Sequence, residues 1–158
     1  DRPAPKLGLV ATDFKPVQGR SVAQSMVKAS KGVSKEQGKA LVEGLNAGLD
    51  AFEKEARKNN VATALAFLLG ISLATAGEKV IDDAELETLT QVLNDELAAA
   101  PAYRKMTPKQ KQLLYETSVI VGALIGGMAA AAEETRDAEL KGQAKQLALS
   151  ALSTFRGK

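Results

Sequence analysis

The sequence of 158 residues contains no cysteine and no histidine. Without cysteine it has no disulfide, no thiolate nucleophile and no cysteine-based metal site. Without histidine it lacks the commonest general base and the commonest protein metal ligand. Neither a Ser–His–Asp nor a Cys–His catalytic site can therefore be built from this chain alone. We expect a protein that is not an enzyme, with no catalytic, cofactor-binding or metal-binding residues to assign and no cofactor.

Aromatic residues and net charge are also scarce. Aromatic residues make up 4% of the chain, so the core has to be built from leucine, valine, isoleucine and alanine. Leucine and alanine are strong helix formers, which favours an all-α fold. The formal net charge of +2 is too small to predict a nucleic-acid partner. Residues 61–100 are acidic and lie between two basic ends, which indicates either complementary helices within one bundle or a basic face for an acidic partner.

Helix signals cover most of the chain. Ser34 and Thr107 each begin a capping box, in which a glutamine follows three residues later. Leucine residues at helical spacing follow these starts, and no stretch shows the alternation of a half-buried strand. The predicted main helices span residues 34–58, 60–76, 83–99, 108–134 and 137–155, with a shorter helix near residues 19–30.

Two of the predicted helices contain uncharged stretches, at residues 61–76 and 117–132. A helix that is apolar on all sides is normally central in its fold. We therefore predict an all-α, single-domain helical bundle of about five main helices with two apolar central helices. Gly122 and Gly126, together with Gly70, indicate that these two helices pack on each other through small residues. A leucine at position 126 is expected to unfold the protein.

The first eighteen residues differ from the rest of the chain. They include three of the five prolines, and chain ends of this kind are commonly poorly ordered. We predict an extended, poorly ordered N-terminal segment over residues 1–18 and a helical domain over residues 19–158. The chain begins at Asp1 instead of methionine, so either a leader has been removed or the sequence was chosen to begin at this residue, and we expect a processed N-terminus.

Acidic residues form two groups, at residues 82–96 and 133–137. Paired carboxylates can hydrolyse glycosides or bind metals, but these acids lie at helix starts and on helix faces, where caps and solvated surfaces are expected. A concave pocket with two inward-facing acids would be needed to support an enzyme. Tyr103 and Tyr115 lie near basic residues, and we expect packing at the end of the bundle in preference to a binding patch.

Four short stretches resemble those of a family of bacterial exported proteins that is known only as a domain of unknown function. The resemblance covers residues 59–155 and implies a processed leader, a periplasmic or secreted location and no catalytic residues. The stretches are Asn59-Asn-Val-Ala-Thr-Ala64, Ile81-Asp-Asp-Ala-Glu-Leu86, Ala100-Pro-Ala-Tyr103 and Lys109-Gln-Lys-Gln-Leu-Leu-Tyr-Glu116.

Two function classes remain. The leading hypothesis is a non-enzymatic, exported protein-interaction module whose partner is another protein or a second copy of the chain. The alternative is a membrane-active or pore-forming-like protein that uses the apolar helices 61–77 and 117–132. These stretches hold seventeen and sixteen residues, close to the lower limit of about 17 for a membrane span. Their many small residues favour burial in a bundle over membrane association.

Overall fold

The structure, a computed structural model, describes residues 7–156, and its regular elements within that range are helical apart from one isolated β-bridge. The all-α prediction is confirmed, but the count of about five main helices is wrong. Seven α-helices follow a short 3-10 turn at Leu9–Thr12: α1 Val22–Ala29, α2 Lys35–Glu55, α3 Val61–Thr75, α4 Asp83–Ala99, α5 Pro101–Arg104, α6 Pro108–Thr135 and α7 Ala138–Phe155.

The count differs because of the two shortest helices. α1 is a formed helix of eight residues, although its sequence pattern is weak. α5 forms because Pro101, which follows the end of α4, occupies the first position of a new helical turn. Proline suits that position, since its backbone angle is already helical and it needs no hydrogen-bond partner for a missing N–H.

The predicted capping residues set the helix starts. The Ser34 hydroxyl accepts from the Gln37 backbone N–H at 3.1 Å, and the Gln37 side chain accepts from the Ser34 N–H at 3.0 Å. Thr107 and Gln110 form the same reciprocal pair. Such caps satisfy backbone donors that have no partner within the helix. Asn60, Asp82 and Asp137 cap α3, α4 and α7.

The two apolar helices, α3 and α6, lie at the centre as predicted. α3 packs on α6, α4 and α7, while α6 also packs on α7, α2 and α1. Val61 of α3 and Val119 and Ile125 of α6 are inaccessible to solvent. These aliphatic side chains form the core together with Tyr115 and Leu152.

Small residues of α6 make the α3–α6 contact close. A Cβ atom at Gly122 would lie 2.6 Å from the Phe67 ring and 3.5 Å from the Leu68 Cα. A Cβ atom at Gly126 would collide with the Ile71 side chain. The predicted role of the two α6 glycines is thus confirmed. Gly70 differs from the prediction, because its Cβ position faces Ile81 and Leu86 at the α4 side instead of α6.

The N-terminal segment crosses the bundle before α1 begins. Thr12 is fully buried, and the ring of Phe14 packs edge-on against Tyr115 with 5.2 Å between ring centroids. We call residues 7–22 the strap. Residues 1–6 of the predicted extended segment lie outside the described residues, and a domain boundary at residue 18 remains a prediction.

One helix of the described range is long and apolar enough to cross a membrane by length and composition. This helix is α6, whose most apolar window of eighteen residues has a mean hydropathy of 1.6 and is 39% buried within the protein. α3 is apolar but holds only 15 residues. The central helix of a water-soluble bundle meets the same criterion, so the packing of α6 has to be considered beside its composition.

Candidate functional site

An apolar groove of about 400 Å³ lies between α2, α6 and the start of α7. We call it the α2–α6 groove. Leu41, at its edge, is 48% exposed, which is high for a leucine on a packed helix. Its lining is almost wholly aliphatic or glycine, and includes Leu41, Gly44, Leu124, Gly127, Met128 and Leu140.

A close helix contact forms one end of this groove. A Cβ atom at Gly48 would lie 2.9 Å from the Ala123 Cβ, so α2 and α6 nearly touch there. The same two residues also line a second cavity of about 510 Å³ next to Phe52 and Phe67. At Gly44 and Gly127, by contrast, the Cβ position has no neighbour within 4 Å. The groove floor is therefore open main chain of two helices.

These open glycines are costly within the chain. A glycine inside a helix destabilises it by about 1 kcal/mol relative to alanine. At Gly122 the close approach of Phe67 offsets that cost, since a side chain there would block the contact. No described residue approaches Gly44 or Gly127 in this way.

A second candidate site is the cleft that holds the strap. Its first half is built from two buried amides, Asn60 at the start of α3 and Asn94 of α4, both inaccessible to solvent. Asn94 donates to the Gly8 carbonyl at 3.1 Å, and Asn60 donates to the Leu9 carbonyl at 2.7 Å. Buried amides need hydrogen-bond partners, and here the strap main chain supplies them.

The second half of the cleft is built from Gln112 and Glu116, one turn apart on α6. Gln112 accepts from the Val17 N–H at 2.9 Å and donates to the Gln18 carbonyl at 2.8 Å. Glu116, only 2% exposed, accepts from the Ser21 N–H at 3.0 Å. Ser21 makes no side-chain cap for α1, so the Glu116 carboxylate caps that helix from outside.

Three consecutive strap side chains add specific contacts. The Thr12 hydroxyl donates to Asn94 at 2.6 Å. Asp13 accepts two hydrogen bonds from the Arg57 guanidinium at 2.6 and 2.8 Å. These bonds lower the pKa of Asp13 against the opposing effect of partial burial. The Phe14 N–H donates to the Asn59 carbonyl at 3.0 Å while its ring enters the core.

A polar cavity of about 200 Å³ lies beneath the strap and contains two inward-facing acids, Glu53 and Glu116. Glu53 accepts from Arg20 at 2.7 Å and from the Tyr115 hydroxyl at 2.8 Å. Burial, and then the bond to Glu53, raise the pKa of Tyr115. The second oxygen of Glu116 accepts from Gln112 at 3.0 Å. The protein's own donors thus occupy all four carboxylate oxygens, and the acids position the strap.

The acidic groups singled out from the sequence lie elsewhere. Within residues 82–96, Asp82 caps α4, Glu85 pairs with Lys79, and Asp95 accepts from the Leu7 N–H at 3.1 Å. Residues 133–137 are exposed at the end of α6. Over residues 7–156 no cluster of three or more acidic, histidine or cysteine side chains could hold a metal ion.

Both tyrosines are buried. Tyr103 is 4% exposed, its hydroxyl donates to the Thr12 carbonyl at 3.4 Å, and the Lys111 ammonium lies 4.6 Å from its ring centroid. Tyr115 is 2% exposed in the core. They support the strap and the core, and neither forms a basic surface patch.

The polar residues of the cleft were missed in the sequence. One signal was available for α6: Gln112 and Glu116 follow the same three-to-four-residue spacing as Tyr115 and Val119. This spacing places them on the buried side of the helix. A buried glutamine and glutamate must bind something polar, but nothing in the local pattern names the strap as that partner.

Comparisons with known proteins show the family of the chain. The profile described as "Family of unknown function (DUF6683)" matches residues 4–157. No curated protein and no solved structure matches the sequence. The resemblance to a family of unknown function is thereby confirmed over nearly the whole chain. The protein belongs to the family of unknown function DUF6683.

Proposed function

We propose that the chain is a single-domain helical bundle that acts as a non-enzymatic protein-interaction module, and that its partner in the α2–α6 groove is a second copy of itself. The observation that carries this proposal is the large surface of the protein. The engaged carboxylates of the polar cavity and the absence of histidine and cysteine support a role other than catalysis.

The surface exceeds what a compact monomer needs. The chain exposes 10103 Å², whereas a compact protein of 16.6 kDa exposes about 7,600 Å² by the usual scaling with mass. Even if the eight residues outside the described range had the full surface of an unfolded chain, they would account for only about 1,200 Å². An excess of about 1,300 Å² remains, and a standard interface takes about 800 Å² from each partner.

The groove has the chemistry of a surface that is covered by its own copy. A two-fold dimer brings the same patch of each subunit together, so the patch has to be self-complementary. Protruding Leu41 and open Gly44 lie one helical turn apart on α2. A leucine of each copy can therefore fill the glycine notch of the other. A close helix contact between two copies at Gly44 and Gly127 would also offset the destabilisation that a glycine causes inside a helix.

Light scattering after size exclusion in detergent-free buffer tests the proposal. We expect a molar mass of about twice 16.6 kDa that falls towards the monomer on dilution. Leu41→Glu should shift the equilibrium to monomer, because a charge would enter the apolar contact. A wild-type chain that stays at the monomer mass up to its solubility limit would overturn the proposal.

A membrane-active protein is the second candidate, and the incomplete burial of α6 favours it. Only 39% of the most apolar α6 window is buried. In this alternative, helices 61–77 and 117–132 insert together into a bilayer. Release of a trapped dye from vesicles of phosphatidylcholine and phosphatidylglycerol would support insertion. Vesicles that stay intact, together with a well-defined dimer in solution, would contradict the membrane-active alternative and favour the groove.

We also propose a periplasmic or secreted location in a bacterium, which rests on the family resemblance alone. Fractionation of cells that express the natural full-length protein tests this. Recovery with the periplasm or the medium supports export, whereas recovery with the cytoplasm contradicts it.

A further inference from the structure

The strap is held like a bound peptide. Seven hydrogen bonds join its main chain between Gly8 and Val22 to five buried side chains, those of Asn60, Asn94, Tyr103, Gln112 and Glu116. Main-chain groups are common to every peptide, and a segment that is bound through them resembles the way in which peptides are recognised in clefts. The cleft thus holds a peptide segment, and its occupant here is the chain's own N-terminal segment.

The cleft also selects a sequence. It requires a hydroxyl that reaches Asn94, then an acid that reaches Arg57, then an aromatic ring that packs on Tyr115. Thr12, Asp13 and Phe14 meet these requirements in order. Any other copy of this chain carries the same three residues, so a second copy is the occupant whose fit is guaranteed.

The connection between the strap and the body of the protein is short and exposed. α1 follows the strap, and residues 30–34 then lead to α2, with Val33 partly buried and the others exposed. Gly32 has a positive φ of 75°, which glycine adopts at little cost. Extension of this loop would let residues 7–29 leave as one unit and span about 17 Å across five residues.

The outward side of the strap is apolar. Leu7, Val10 and Val17 are 45%, 70% and 57% exposed, and they are three of the six large hydrophobic side chains that are most exposed within residues 7–156. A strap that only served its own chain would gain nothing from an apolar outer face. Exposed apolar side chains that lie close together commonly mark a surface that contacts a partner.

We propose that the strap cleft takes the strap of a second copy, so that two chains exchange residues 7–29 about the loop at residues 30–34. The contacts within the cleft are the same when the strap occupies its own chain and when it occupies a partner. The protein concentration and the conformation of the loop at residues 30–34 therefore determine which form is populated. The side chains that bind the strap in the cleft do not line the α2–α6 groove, although α1 packs beside Leu45 and Ile120, which do. The exchange does not depend on a second copy in the groove.

Cross-linking tests the exchange directly, because the chain has no native cysteine. Asp13 and Arg57 form an ion pair across the cleft, with side chains 31% and 45% exposed. Full-length Asp13→Cys and Arg57→Cys chains, distinguished by isotope labelling, are mixed at high concentration, incubated and joined with a short bis-maleimide. We expect a covalent pair that contains one chain of each kind.

Lys79 and Glu85 provide the matched control, since they form a similarly exposed ion pair that does not cross the cleft. Mixed Lys79→Cys and Glu85→Cys chains should give only background linkage between chains. An excess of a synthetic peptide of residues 7–22 should suppress the Asp13–Arg57 product, and the same peptide with Phe14→Ala should not.

The exchange is overturned if the mixed Asp13→Cys and Arg57→Cys chains link no more than the control pair, while one chain that carries both cysteines links internally. Internal linkage shows that the variants fold and that the strap is docked. The absence of linkage between chains would then mean that the strap serves its own chain alone.

Discussion

Two neighbouring glycines of α6 differ in what surrounds them. Gly126 faces α3, where the Ile71 side chain fills the space of a missing Cβ, while at Gly127 that space is open. Successive residues point about 100° apart around a helix, so the one faces the core and the other the α2–α6 groove. The difference shows that a glycine-rich helix can use one face for close internal packing and leave the main chain of another face open.

The largest expected effect is at the filled face. Gly122→Leu should destabilise the protein by about 3 kcal/mol or more, because overpacking of a core contact is costly and both the Phe67 ring and the Leu68 backbone are in the way. Urea denaturation followed by circular dichroism measures the change. A Gly122→Leu variant with the wild-type midpoint would show that α3 and α6 are not closely packed.

A smaller loss is expected one turn further along the same face. Gly126→Leu was expected from the sequence to unfold the chain, but only the Ile71 side chain approaches this position, and the end of an isoleucine can turn away. We expect a loss of about 1–3 kcal/mol, typical of overpacking in a core. The melting temperature measures it, and a loss larger than that of Gly122→Leu would reverse the order that the contacts imply.

The open face should respond with the opposite sign. Gly127→Ala is expected to stabilise the isolated monomer by about 0.5–1 kcal/mol, because alanine favours the helix and its methyl group meets no neighbour. Gly142→Ala in α7, where the Cβ space is also open, is the control and should gain a similar amount. Denaturation of dilute protein checks this, and destabilisation by Gly127→Ala alone would place an unrecognised contact at that position.

Local features of the fold could be predicted from the sequence. Capping boxes at Ser34 and Thr107 and the uncharged stretches identified the long helices and the two central ones, since these signals act within a few residues. The one-turn helix α5 and the side that Gly70 faces were not predicted. α5 depends on how the chain turns between α4 and α6, and the side that Gly70 faces depends on how α4 packs on α3. No local pattern specifies either.

The cleft could not be predicted because its partners are far apart in sequence. Gln112 bonds to residues 95 and 94 positions away, and Asn94 to a hydroxyl 82 positions away. The prolines at residues 3, 5 and 16 indicated an extended segment, but an extended conformation says nothing about what lies beneath it. Glycines within the helices were the only sequence signal for the groove. The sequence does not distinguish a glycine that is covered by a neighbouring helix, such as Gly126, from one that is open, such as Gly127, because the difference lies in the packing.

The most direct test of the open face compares the molar masses of two matched variants, Gly127→Gln and Gly142→Gln. Both replace a helical glycine with open Cβ space by the same polar side chain, and both should fold, because glutamine favours a helix over glycine. Light scattering at concentrations too low for strap exchange should show that Gly142→Gln keeps the proposed dimer while Gly127→Gln is a monomer of about 16.6 kDa. A Gly127→Gln variant that dimerises as strongly as the control would contradict the proposal that the α2–α6 groove holds a second copy.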